Sequence, residues 1–231
     1  MLRLTLAAIF FTGSHLGISG TRLRGWLMQR IGELPYLLAY SLLSLLALAW
    51  LAEAYKAAPY VETWGQVHAL QPLAALLMLP ACLLAVIGLT TPSPTLAGAE
   101  RLLEAAEPAR GILRVTRHPF LMGAALWAAI HLLVNGDLAS ALLFGSLLLL
   151  ALAGAKSIDA KRRASAGAQW ERFAAVTSIL PFAAIMAGRN RLRLSEIGWW
   201  RPLLGLLAWV ALLRFHAAFA GVSPLGAWLP L

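Results

Sequence analysis

The stretch NGDLASALLFGSLLLLALAGAKSIDAKRR, residues 135–163, sets the fold class. It opens on a turn signal, Asn135-Gly136-Asp137, and runs from Leu138 to Ile158 with Lys156 as its sole charge. It then ends in the basic run Lys161-Arg162-Arg163. A helix of roughly 20 apolar residues crosses the roughly 30 Å of bilayer hydrocarbon, so this is a membrane span with cations at one end. Working outward, comparable runs cover Leu2–Gly20, Tyr36–Tyr55, Leu70–Leu89, Pro119–Val134 and Pro202–Gly221. The fold class is therefore all-α, a polytopic integral membrane bundle of about six transmembrane helices forming a single domain over residues 1–231. The bulk numbers agree: of 231 residues, 60% are hydrophobic and 13% charged, and mean hydropathy is +0.75. Soluble domains run nearer half apolar and a quarter charged. A disordered chain is excluded by the apolar content, and the single cysteine, Cys82, excludes an intramolecular disulfide.

The net charge of +9 could mean nucleic acid or a membrane face, and the distribution of the basic residues separates the two. Arg22, Arg24 and Arg30 follow the first span; Arg101, Arg110, Arg114 and Arg117 follow the third. Lys161, Arg162, Arg163, Arg172, Arg189, Arg191, Arg193 and Arg201 follow the fifth. The alternate connections hold little beyond Lys56 and Asn135-Gly136-Asp137. Six helices with the basic loops in the cytoplasm and both termini outside satisfy the positive-inside rule, with Arg3 as one exception. Nucleic acid is not needed as a partner; the lipid bilayer is. Leu2–Ser19 lacks an Ala-x-Ala-like cleavage site and is followed by a basic stop-transfer segment, so it reads as a mature helix.

Three shorter segments carry their own expectations. Ser178–Gly188 is too short to span and contains Pro181, which predicts an interfacial or re-entrant segment. Glu100, Glu104 and Glu107 are spaced four and three apart and predict a short surface helix with one acidic face. Trp170, Phe173, Trp199 and Trp200, interleaved with arginines, predict amphipathic anchoring at headgroup depth.

Ionisable residues within spans are expensive and are functional candidates by default. His15, His131 and His216 fall within spans one, four and six. At about 1.5 Å per residue, His15 lies about 20 Å from the outer start of its helix. His131 and His216 lie about 18 and 21 Å from the inner starts of theirs. All three can approach the middle of the bilayer. Paired imidazoles across a bundle supply what an axially ligated haem iron requires; the plainer reading is a hydrogen bond to a neighbouring helix. Zinc lacks the close-spaced His or Cys pairs that it uses. His118, between Arg117 and Pro119, is roughly 20 Å along the helix from His131. Arg117 and His118 are placed instead to meet an anionic group at the interface, whereas His68 reads as a surface residue.

At these residues the chain resembles the NnrU family of bacterial membrane proteins and, more distantly, the ζ-carotene isomerases. The resemblance rests on Gly13-Ser14-His15-Leu16-Gly17, YLLAYSLLSL (36–45), TRHPFLMGAALWAAIHLLVNGD (116–137) and Asp159–Arg189. It implies an inner-membrane protein linked to nitrite and nitric oxide metabolism in denitrifying bacteria. The isomerase relatives further imply haem b between two histidines, at positions matching His15 and His131; the depth of His216 makes it the alternative partner of His131. Arg117, His118 or Arg214 would neutralise propionates, and the substrate would be an apolar small molecule. Leu16 stands where the motif has serine. A non-enzymatic assembly or sensing factor for denitrification enzymes is the second reading.

A third reading comes from Arg117-His118-Pro119 with Gly123, which is also similar to isoprenylcysteine and phospholipid methyltransferases that bind S-adenosylmethionine. The chain lacks the acidic, tyrosine-rich segment those enzymes place before a later proline; its counterpart offers Glu171, Phe173 and Pro181.

Overall fold

A computed structural model describes residues 1–96 and 98–225. Nine α-helices are found there: α1 (Leu2–Ser14), α2 (Arg22–Ile31), α3 (Glu33–Lys56), α4 (Gln71–Thr90), α5 (Pro119–Asn135), α6 (Leu138–Ala166), α7 (Ala168–Val176), α8 (Ala183–Met186) and α9 (Trp200–Ala220). A π-helical turn, His15–Ser19, extends α1. Five helices are long and apolar enough to cross a membrane: α1 with its π turn, α3, α4 with the turn before it, α6 and α9. The expected fourth span, α5, is apolar but has 17 residues, a rise of about 26 Å. His118 and Arg117 lie just beyond one of its ends, and the Asn135–Asp137 turn lies at the other.

The long helices pack in the order α9, α4, α5, α6, α1, α3. Small residues set the closest crossing. A Cβ on Gly123 of α5 would lie 2.7 Å from the Ala81 carbonyl oxygen of α4, and one on Gly88 of α4 would lie 2.6 Å from the Phe120 nitrogen. Backbones that approach this closely gain dispersion contact where lipid offers no hydrophobic drive between helices. On the other flank of α4, Trp209 of α9 donates to the Ala75 carbonyl at 2.8 Å. The α1–α3–α6 side closes on Leu4, Ala7, Phe11, Leu51 and Ala139, and the Tyr55 and Ser140 hydroxyls meet at 2.9 Å.

At the face with few cations, the Asn135-Gly136-Asp137 turn does what its residues favour. Gly136 adopts φ +63°, the left-handed end that glycine gives a helix. Asp137 caps α6 by accepting from the Ser140 amide at 2.9 Å. The 61–67 segment lies along this turn, with the Thr63 and Gly65 amides both donating to the Gly136 carbonyl at 2.9 and 3.0 Å.

At the basic face, residues 91–118 and 159–201 fold into a cap with its own core of Leu103, Leu113, Trp170 and Phe173. The headgroup expectation is corrected here: Trp170 and Phe173 are fully buried, while Trp199 and Trp200 are exposed. The physical reason is that α7 folds back against the Glu100–Glu104 turn instead of lying on lipid. The acidic surface helix is also corrected. Glu100–Glu104 is a 3₁₀ turn that buries Leu103, and Glu100 pairs with Arg162 of α6. Ser178–Gly188 forms the short α8, held by the Phe182 amide on the Val115 carbonyl at 2.8 Å and the Ala184 amide on Ser178 Oγ at 2.9 Å. Met186 is left protruding.

Candidate functional site

The intramembrane histidines share one local arrangement. His15 Nδ1 lies 2.7 Å from the Phe11 carbonyl, His131 Nδ1 lies 3.0 Å from that of Trp127, and His216 Nδ1 lies 2.7 Å from that of Val222. A carbonyl only accepts, so each Nδ1 carries the proton and each neutral ring keeps its lone pair on Nε2. No hydrogen bond to any of these Nε2 atoms forms among the described residues. Metal-ligating histidines are commonly fixed in this way, one nitrogen donating to the protein and the other free.

His131 and His216 are brought together: their ring centroids are 6.3 Å apart with planes 19° from parallel. Phe144 of α6 stacks on His131 at 4.6 Å, Trp127 stands 4.9 Å from it, and Phe219 lies 5.1 Å from His216. Because α5 and α9 both pack on α4, the pair bridges the gap between two helices. His15 is not brought to either. Its aromatic neighbours are Phe11 and Tyr40, at 4.5 and 5.7 Å, and it begins the π turn ending at Ser19, whose carbonyl accepts from Lys161 at 2.8 Å. Between Phe144, beside His131, and Lys161, α6 rises about 25 Å, so His15 sits toward the basic face and the His131–His216 pair toward the other.

Arg117 and His118 belong to a different centre. Arg117 donates through Nε to both oxygens of Asp159, at 3.1 and 2.9 Å, and through Nη2 at 2.5 Å. His118 Nε2 lies 2.7 Å from Asp159 Oδ1. The three side chains are 12%, 1% and 9% exposed for Arg117, His118 and Asp159 respectively, so this is a buried, mutually neutralising triad. It is anchored by the Arg117 amide on the Ser178 carbonyl at 2.9 Å and by the guanidinium 5.9 Å from the Trp170 ring centre. Arg214 lies two positions before His216, hence on a different side of α9, and it is exposed. No hydrogen bond or ring contact joins any of these three side chains to His131 or His216 among the described residues.

Sequence reasoning did not single out Asp159. The signal was present: one carboxylate at the polar end of a long apolar run, just before Lys161-Arg162-Arg163. A second buried hub is Arg114, 8% exposed, which grips Glu196 at 2.7 and 2.9 Å and Asn190 at 2.9 Å. Hydrogen bonds from Arg114 hold the Glu196 carboxyl at about 2, far below its ordinary range.

Two hollows flank the Arg117 triad. One, of about 500 Å³, is open and lined by Arg117, Arg163 and Arg189. Its arginines are already engaged, Arg163 with Glu171 and Arg189 with the Ala175 and Thr177 carbonyls. The other, of about 130 Å³, is apolar and reaches His118.

Among the described residues, no group of three or more His, Cys, Asp or Glu side chains is arranged to hold a metal ion. Haem iron takes one or two donors from the protein, and its ring supplies the rest. The His131–His216 pair fits that donor set: two neutral imidazoles on separate helices, each fixed through Nδ1, among aromatic side chains.

The chain has relatives among known proteins. The chain is 35% identical over 82 residues to the chloroplastic 15-cis-zeta-carotene isomerase of Zea mays, covering 36% of this chain and 22% of that protein. Against the Arabidopsis thaliana 15-cis-zeta-carotene isomerase it is 37% identical over 80 residues, covering 35% and 22%. The match therefore spans about a fifth of the length of these curated relatives. No solved structure matches significantly. The family model described as NnrU protein matches residues 3–224, nearly the whole chain, and the protein belongs to the NnrU family.

Proposed function

We propose that this protein is a haem-b-binding membrane protein whose haem acts on an apolar small molecule, in the manner of an isomerase. The observation that carries the reading is the His131–His216 pair, with rings 6.3 Å apart and no hydrogen bond to either Nε2 among the described residues. The similarity to proteins named 15-cis-zeta-carotene isomerase supports the chemical class, an unsaturated hydrocarbon acted on within the bilayer. Haem, if held there by His131 and His216, would supply reversible one-electron chemistry with no net oxidation or reduction of the substrate. The chain's own part is to hold the iron through Nε2 of His131 and His216. It also keeps each ring in its tautomer through the Trp127 and Val222 carbonyls, and excludes water with Phe144, Trp127 and Phe219. We place the protein in a bacterial inner membrane with its basic cap in the cytoplasm and both termini periplasmic, on the one-sided distribution of arginines. A supporting role in nitrite and nitric oxide metabolism accords with the family.

The test is the absorbance spectrum of protein purified in detergent from haem-supplied cells. A low-spin Soret band is expected, lost in both His131→Ala and His216→Ala and retained in His15→Ala. Loss in His15→Ala with His216→Ala silent would move the second ligand to α1. Protein that stays haem-free under these conditions overturns the reading.

A further inference from the structure

His118 has a nitrogen with no partner. Its Nε2 lies 2.7 Å from the Asp159 carboxylate, which only accepts, so Nε2 carries a proton and, in the neutral form of the ring, Nδ1 holds the lone pair. No hydrogen bond to Nδ1 forms among the described residues, and the side chain is 1% exposed. The ring lines the apolar hollow of about 130 Å³ together with Gly88, Ser93, Thr95, Leu96, Phe120 and Ile158. A liquid water occupies about 30 Å³, so the hollow admits a group of a few non-hydrogen atoms. At its rim Leu96 and Phe120 are 44% and 43% exposed, and Phe120 lies in the first turn of the apolar helix α5, so the mouth faces the apolar surroundings at the basic face.

The chemistry of the occupant follows from the wall. Among the described residues the hollow is lined by no lysine or arginine that could meet a phosphate or carboxylate, and Arg117, next to His118 in the chain, is spent on Asp159. Ser93 and Thr95 bond to each other at 2.8 Å, and Thr95 Oγ1 donates to the Arg117 carbonyl at 3.2 Å. What remains is one buried acceptor, Nδ1, in an apolar pocket beside lipid. That combination suits a neutral molecule with a single O–H donor and a hydrocarbon tail. Asp159, itself held in place by Arg117, orients the ring and stabilises positive charge drawn onto it, which makes Nδ1 a better acceptor than an isolated imidazole.

We propose that this hollow binds the hydroxyl head of a lipid-phase alcohol, which donates to His118 Nδ1 while its tail passes Leu96 and Phe120 into the bilayer. The site lies about thirteen residues along α5 from His131, roughly 20 Å, and does not depend on the haem reading. His118 acts as a binding residue; Asp159 and Arg117 are positioning residues.

The probe is a long-chain primary alcohol with a diazirine near its head, photolysed with the purified protein in lipid nanodiscs and mapped by peptide mass spectrometry. Labelling is expected in the Leu96 and Phe120 peptides. Excess unlabelled alcohol should compete it away, and the matching methyl ether, which has no donor, should compete at least about tenfold less well, as loss of one hydrogen bond implies. His118→Gln should lower labelling by about the same factor, with the melting temperature reporting its folding. Leu96→Trp, which crowds the mouth without touching the triad, should block labelling in a chain whose buried ion pair is intact. Equal competition by ether and alcohol overturns the proposal, and so does full labelling of Leu96→Trp. Unchanged labelling of a folded His118→Gln would also overturn it.

Discussion

Arg117 and His118 converge on one carboxylate, Asp159, from successive positions in the chain, at 2.5 and 2.7 Å. The two residues precede a helix start, and Asp159 sits at the far end of the next long helix. This relationship ties the basic-face ends of α5 and α6 together where the apolar packing gives out.

Removing the shared carboxylate should be severe. Asp159→Ala leaves a guanidinium unpaired in a site where both partners are nearly buried, and a broken buried pair costs about 3–5 kcal/mol. Asp159→Asn keeps an acceptor and should lose less. Melting temperatures in detergent should fall in that order, and equal melting of Asp159→Ala and wild type would contradict the account.

The Arg114–Glu196 pair predicts acid sensitivity of the cap. The Glu196 carboxyl is held at about 2 against an ordinary 4.5, so the folded state releases its proton more readily than the unfolded one. That stabilisation is complete above about pH 4.5 and declines as pH falls from there through 2. Limited proteolysis across this window should show the 190–196 segment opening. Glu196→Gln should already be open at neutral pH and lose the pH dependence there.

Trp170 is completely buried against Phe173 and Leu103. Trp170→Ala should destabilise by about 3–5 kcal/mol, as for a large aromatic removed from a packed core. A headgroup anchor at that position would instead show weakened lipid association with little change in melting, so the two measurements together decide between them.

Gly136 combines φ +63° with a carbonyl, that of Gly65, 1.9 Å from where a Cβ would be built. Gly136→Ala must both hold a left-handed backbone, at about 1–2 kcal/mol, and push the 61–67 segment away. Hydrogen exchange at the Thr63 and Gly65 amides should accelerate in the variant; unchanged protection would refute the docking of that segment.

The spans were legible because membrane hydrocarbon imposes a length, and Leu138–Ile158 meets it without help from neighbours. The Asn135–Asp137 turn was legible from local chemistry alone. Trp170 was not, since an aromatic-basic mixture reads the same whether the ring faces lipid or a cap core, and only the fold-back of α7 decides it. Asp159 was hidden for a related reason: its partners lie some 40 residues upstream, and no local pattern expresses that distance. Sequence spacing placed His15, His131 and His216 at comparable depths, whereas the registers of α1, α5 and α9 pair only the last two.

The order α9, α4, α5, α6, α1, α3 also bears on how the chain is made. The first two long helices to leave the ribosome, α1 and α3, pair with each other, and α4 and α5 make a second pair. It is α6, emerging afterwards, that packs against both α5 and α1 and brings Asp159 to Arg117. The packing order predicts a staggered assembly in which α1 pairs with α3 and α4 with α5, α6 then joins the two pairs, and α9 closes the far edge.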